Sequence, residues 1–180
     1  MKSLTKVFLL AVLAIGLASC SLFDVEIDTT FEGYLDIEVQ EPVMKSTEAG
    51  FPFSESTTID VLDDEDVYEY QDKIDDFIVS GVTVEVTWVN QDGVEFEPQT
   101  TFTITNGTRT AEWVLETSMP VEVGVKVDLQ DLGKAYETVN AILGDMKPFT
   151  VSAAGTCNKA PVSAILKLGI DTKVVANPLN

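Results

Sequence analysis

The chain has 180 residues, 30 of them acidic and 11 basic, for a formal net charge of −19, and it contains no histidine. Without histidine, neither a Ser-His-Asp or Cys-His pair nor a histidine-ligated zinc or copper site can be built. The acidity also makes nucleic acid and anionic lipid surfaces poor partners, and the length suits one domain with a substantial core.

Lys2 and Lys6 precede an apolar run from Val7 to Ala18 that closes on Leu17-Ala18-Ser19-Cys20. A membrane-spanning helix needs about 20 apolar residues, so this shorter run with charged and small flanks reads as a secretory signal that is removed. The Leu-Ala-Ser-Cys ending resembles the lipobox of bacterial lipoproteins. That resemblance implies a signal peptide over residues 1–19, a diacylglycerol-bearing N-terminus at Cys20 and a tether over 20–29. Ser21 stands where an aspartate would imply inner-membrane retention, so the resemblance implies the outer membrane, with the leaflet open. Asp24 and Glu26 resemble in part the export signals of surface lipoproteins. Asp28-Thr29-Thr30 resembles a short acceptor for protein O-glycosylation, against a plain reading of Thr29 as linker.

Residues 20–125 hold 25 acids against three bases, whereas residues 126–180 hold five acids and six lysines. Solubility beside a membrane accounts for this skew. With Cys20 lipidated, Cys157 has no partner within the chain, so it is either a small buried apolar residue or a free thiol.

From residue 30 onward the dominant signal is alternation with period two. Phe31 to Val39 form a strand with one apolar and one acidic face, and a loop over 41–52 leads to a second strand from Phe53 to Val61. Asp60, Asp63, Asp64, Glu65 and Asp66 then cap a short amphipathic helix over residues 65–76, with Val67, Tyr70, Ile74 and Phe77 as its stripe. The other reading of Asp60, Asp63, Asp64 and Asp66 is a calcium site, but they lack the spacing of an EF-hand loop.

Val82, Val84, Val86 and Trp88 alternate up to Asn90-Gln91-Asp92-Gly93, and Val94 and Phe96 open a return strand, which reads as a hairpin. Pro98 interrupts it. A second hairpin turns on Asn106-Gly107, and a two-residue turn there sets Phe102 across from Ala111 and Ile104 across from Arg109. Trp88 and Trp113 are candidates for sugar-stacking surfaces, but both run in phase with aliphatic neighbours and read as core. Arg109, the one arginine, is a candidate for carboxylate or phosphate binding, set against an ion pair with a neighbouring acid. A strand follows over Val121 to Val127. Asp128 reads as the N-cap of a helix carrying Leu129, Leu132, Tyr136, Val139 and Leu143 and ending at Gly144. Strands at Phe149 to Ala153 and Val162 to Ile170 close the chain.

About eight strands and two short helices predict a mainly β chain over residues 30–180. Its architecture is an antiparallel β-sandwich, immunoglobulin-like or a related Greek key, with an up-and-down barrel as the alternative. The chain resembles small uncharacterised β-sandwich lipoproteins of gut-type Gram-negative bacteria. That likeness supports the fold more than any activity; the expected function is a non-catalytic binding or structural module at the outer membrane, touching envelope protein or glycan through loops, without cofactors and without nucleic acid. A ligand carrier with a cavity between its sheets and a carboxylate-based glycan hydrolase are the other two readings.

Overall fold

A computed structural model describes residues 24–41 and 50–177. Among the described residues, ten strands form two antiparallel sheets. The first sheet has three long strands, β1 (Val25–Val39), β3 (Ile74–Val89) and β10 (Val162–Ala176), and a short one, β8 (Lys126–Asp128), in the order β1-β10-β3-β8. In the second, β9 (Phe149–Cys157) is central. β2 (Phe51–Ile59) lies along one side of it, and β5 (Thr101–Thr105) with β6 (Thr110–Val114) along the other. The short strands β4 (Glu95–Phe96) and β7 (Met119–Pro120) extend this sheet. Leaving those two aside, the orders are first-last-third-eighth and second-ninth-fifth-sixth, so the chain changes sheet at almost every connection. This is the double Greek key of a jelly roll, and the predicted antiparallel Greek-key sandwich is what the chain forms.

The two inner faces meet in one core, in which Phe77, Phe96, Phe102, Phe149, Leu35 and Leu166 are among the largest fully buried side chains. Gly33 of β1 marks where the sheets converge on one side. A Cβ there would come within 2.9 Å of both Ile59 and Val151, so only glycine lets the backbone pass so close. Helix α2 (Ala135–Leu143) packs its buried Val139, Ile142 and Leu143 against the opposite side, and its Asn140 accepts a hydrogen bond from the Val79 amide at 2.7 Å. Helix α1 (Glu65–Tyr70) carries the crossover from β2 to β3.

Several sequence-based boundaries move. Residues 25–29, expected as tether, are paired strand, facing 172–176 of β10. The helix expected over 65–76 ends at Tyr70, and Ile74 and Phe77 belong to β3, because pairing with β10 offers that segment a full ladder. The helix expected after Asp128 starts only at Ala135. Asp128 lies in β8, Lys134 takes the left-handed N-cap position, and Leu132 is exposed. The strand expected over 121–127 is broken by a turn at Gly124, with φ of +87°, as the chain passes from one sheet to the other.

The two expected hairpins fare differently. β3 and β4 do not pair with each other; β4 joins β7 and β9 in the opposite sheet. β5 and β6 do pair, but with Ile104 opposite Ala111 and Phe102 opposite Trp113. The loop is four residues long rather than two, since the Asn106 side-chain oxygen accepts from the amides of Thr108 and Arg109 at 3.0 and 2.8 Å. A shift of two positions leaves every side chain on its expected face, and Phe102, Ile104, Ala111 and Trp113 are all buried.

Candidate functional site

All three irregularities in the pairing of β10 with β3 place the extra residue on β3, at Asp75, Ser80 and Thr87. Each reverses which side of the sheet the next residues face. Phe77 and Val79 therefore point inward, then Val82, Val84 and Val86, and beyond Thr87 the phase turns again. Trp88, expected in the core, consequently stands on the outer face at 46% exposure, while Trp113 is buried and donates its indole N–H to the Gln130 carbonyl at 2.8 Å.

Strand pairing sets out the rest of that outer face in rows. Asp36, Ile165 and Trp88 form one row, and Tyr34, Lys167, Glu85 and Lys126 the next. Lys167 reaches Glu32 at 3.3 Å and Glu85 at 3.5 Å, and Tyr34 donates to Glu32 at 3.1 Å. The hydrogen bond from Lys167 to Glu32 holds its ammonium above the usual lysine range, and that to Glu32 raises the Tyr34 phenol. Further along come Glu32, Gly169, Thr83 and Asp128, then Thr30, Asp171 and Gly81.

Glycine and threonine leave the sheet low here, and an open groove of about 460 Å³ forms between Gly81, Thr83, Lys126, Asp128, Tyr136 and Asp171. The groove mixes fixed donors and acceptors. Asp171 accepts from Thr30 at 2.8 Å, Asp131 at its margin accepts from the Tyr136 amide at 2.9 Å, and the Tyr136 hydroxyl donates to the Leu129 carbonyl at 2.9 Å. Sequence reasoning missed this groove, because its walls come from β3, β8 and β10 and meet only through long-range pairing.

The acidic cluster acts locally. Asp60 accepts from the Leu62 amide at 3.0 Å. Asp64 caps α1 by accepting from Asp66 and Val67, each at 3.0 Å, and its second oxygen accepts from the Thr29 hydroxyl at 2.6 Å. Thr29 is thus a strand residue whose hydroxyl is engaged, not a linker residue. Asp63 and Asp64 line a second groove of about 260 Å³ with Glu32 and Asp60. Among the described residues no three metal-ligating side chains converge as a metal site would require.

Arg109 sits on the β5–β6 loop, outside the sheet pairing, and its guanidinium pairs with Asp145 at 2.5 Å. Asn106 donates to the same Asp145 oxygen at 2.7 Å, so the three residues tie the loop to the end of α2. Cys157 is a free cysteine, fully buried, and burial pushes its thiol above the ordinary value, as for an inert core residue. Cys20 lies outside the described residues.

No family model matches the chain, and no curated protein resembles it in sequence. Two solved structures are similar to it at very low identity. The decameric BFDV capsid protein is 9% identical, with 83% of this chain and 99% of that one covered at a TM-score of 0.46. Desmodium yellow mottle tymovirus is 8% identical, with 87% and 91% covered at a TM-score of 0.36. The jelly-roll architecture follows from this chain's own strand order.

Proposed function

We propose that the chain is a lipid-anchored envelope lipoprotein whose sandwich serves as a non-catalytic binding or structural module at the outer membrane. The observation that carries this reading is the Leu17-Ala18-Ser19-Cys20 ending behind a short charged and apolar leader. β1 begins at Val25, so five residues of chain reach from Cys20 to the sandwich, at most about 18 Å when extended. A lipid on Cys20 would hold the domain close against the bilayer, and the excess of acidic residues keeps such a domain from adhering to anionic headgroups.

Two features favour a binding module over the other readings. The inner faces are filled by packed aromatic and aliphatic side chains, which argues against a ligand-carrying lumen between the sheets. Asp131 and Asp171 in the larger groove each accept a hydrogen bond from the protein itself, as positioned structural carboxylates do. The test is Cys20→Ala. Wild-type protein should incorporate labelled fatty acid and fractionate with the outer membrane, and the variant should do neither. Labelled fatty acid still entering the variant overturns the reading.

A further inference from the structure

Two features of the long-stranded sheet occur on one face. Trp88 is a large aromatic turned outward by the extra residue at Thr87, although core space on this strand is taken by valines on either side of the phase change. Bulges serve to re-aim side chains, and this one presents the indole on the outer face rather than to the core. Tyr34 is exposed at 52% on the same face, and Ile165 and the stem of Lys167 lie between the two rings. Strand spacing and rise put the Trp88 and Tyr34 backbones about 12 Å apart. The second feature is the groove, lined by Thr83, which the register with β10 places four residues, about 13 Å, along the sheet from Trp88.

Flat apolar rings at one end and converging donors and acceptors at the other suit one chemistry. A sugar ring has an apolar C–H face that stacks on indole or phenol, and an edge of hydroxyls that both donate and accept. Carboxylates such as Asp128 and Asp171 accept from hydroxyls, and Lys126 donates. The separation is too long for a single ring, so the ligand is an oligomer. Glu32, Asp36, Glu85, Asp128 and Asp171 outnumber Lys126 and Lys167 on this face, so a phosphorylated, sulfated or uronic ligand is repelled and an uncharged one is not.

We propose that the outer face of the β1-β10-β3-β8 sheet binds a neutral oligosaccharide, stacked on Trp88 and Tyr34 and hydrogen-bonded in the groove beside Thr83, Asp128 and Asp171. This deepens the binding-module reading and rests on it. Because Trp113 is buried and Trp88 exposed, acrylamide quenching of tryptophan fluorescence reports on the site directly. The full chain in neutral detergent is titrated with a panel of neutral tetra- to hexasaccharides (malto-, cello-, xylo- and manno-series) and, as a control, with uronic oligosaccharides of equal length.

At least one neutral series should shield Trp88 from quenching, the uronic series should not, and Trp88→Ala should weaken binding tenfold or more with its melting temperature unchanged. If no neutral series shields Trp88, or if Trp88→Ala binds as well as the wild type, the proposal is overturned. The titration does not depend on anchoring. Failure here with Cys20-dependent fractionation intact removes the glycan and leaves the lipoprotein, whereas glycan binding by an unlipidated chain does the reverse.

Discussion

The two sheets of the sandwich divide the work unequally. β1, β10 and β3 run for 15, 15 and 16 residues, whereas β2 and β9 have nine, β5 and β6 five, and β4 and β7 two. Long strands accumulate right-handed twist, and β3 absorbs it with three extra residues while β1 and β10 pair without interruption. The short-stranded sheet instead breaks its strands and lets turns carry the chain. The position of a side chain in the long sheet thus depends on where the bulges fall, and in the short sheet on the chemistry of its turns. The aromatic face and the larger groove both lie on the long sheet, where bulges can place a residue outward without unpairing the strand.

If the sheets nevertheless share one core, truncation should cost the same in either. Leu168, in the centre of the long sheet, and Ile104, in β5 of the short one, are both fully buried. Leu168→Ala and Ile104→Ala should each lose about 2–5 kcal/mol, read from urea denaturation, with tryptophan fluorescence and far-ultraviolet circular dichroism giving coincident transitions. A separate early transition in Ile104→Ala would break the comparison by showing that the short sheet unfolds alone.

Glycines sharpen it. At Gly155 in β9 a Cβ would lie 2.9 Å from the Thr100 Cα, a backbone atom that cannot rotate away, so Gly155→Ala should cost about 1–3 kcal/mol. At Gly169 in β10 the nearest atom is the Thr83 hydroxyl at 3.2 Å, which can turn, so Gly169→Ala should change stability by about 0.5 kcal/mol or less. Thermal melts of both variants decide this, and equal losses would mean the long sheet has no more tolerance than the short one.

The same contrast explains what was legible in the sequence. Alternation over 31–39 of β1 and 162–170 of β10 is unbroken, so those segments and their buried faces could be read directly while 25–29 and 171–176 were not, and the β5–β6 faces survived a misjudged loop because the slip was even. Trp88 was misread because nothing local marks Thr87 as the residue that opposes no partner. Val94 and Phe96 carry the pattern of a return strand, but their partners are Val121, Met119 and Cys157, and local pattern does not encode a change of sheet. The acidic cluster was readable as a helix cap because capping spans only two or three residues. The groove was not, since Gly81, Asp128 and Asp171 meet through three separate strands.

That cluster gives the smallest effect and joins the two sheets, for it lies on the crossover from β2 to β3. Asp64 holds two α1 amides with one oxygen and the Thr29 hydroxyl of β1 with the other, so it straps the crossover to the edge of the long sheet. Asp64→Ala removes the cap and the strap together and should cost about 0.5–2 kcal/mol. The double replacement Asp63→Asn with Asp64→Asn keeps an amide oxygen able to cap and relieves repulsion within four consecutive acids. It should therefore change stability by about 1 kcal/mol or less. Calcium supplies the opposing outcome, because a bound ion stabilises the folded state in proportion to its affinity and its occupancy. Millimolar calcium should leave the melting temperature of the wild type where it is. A rise of many degrees that the Asn pair abolishes would make the crossover a metal site, and its carboxylates ligands rather than caps.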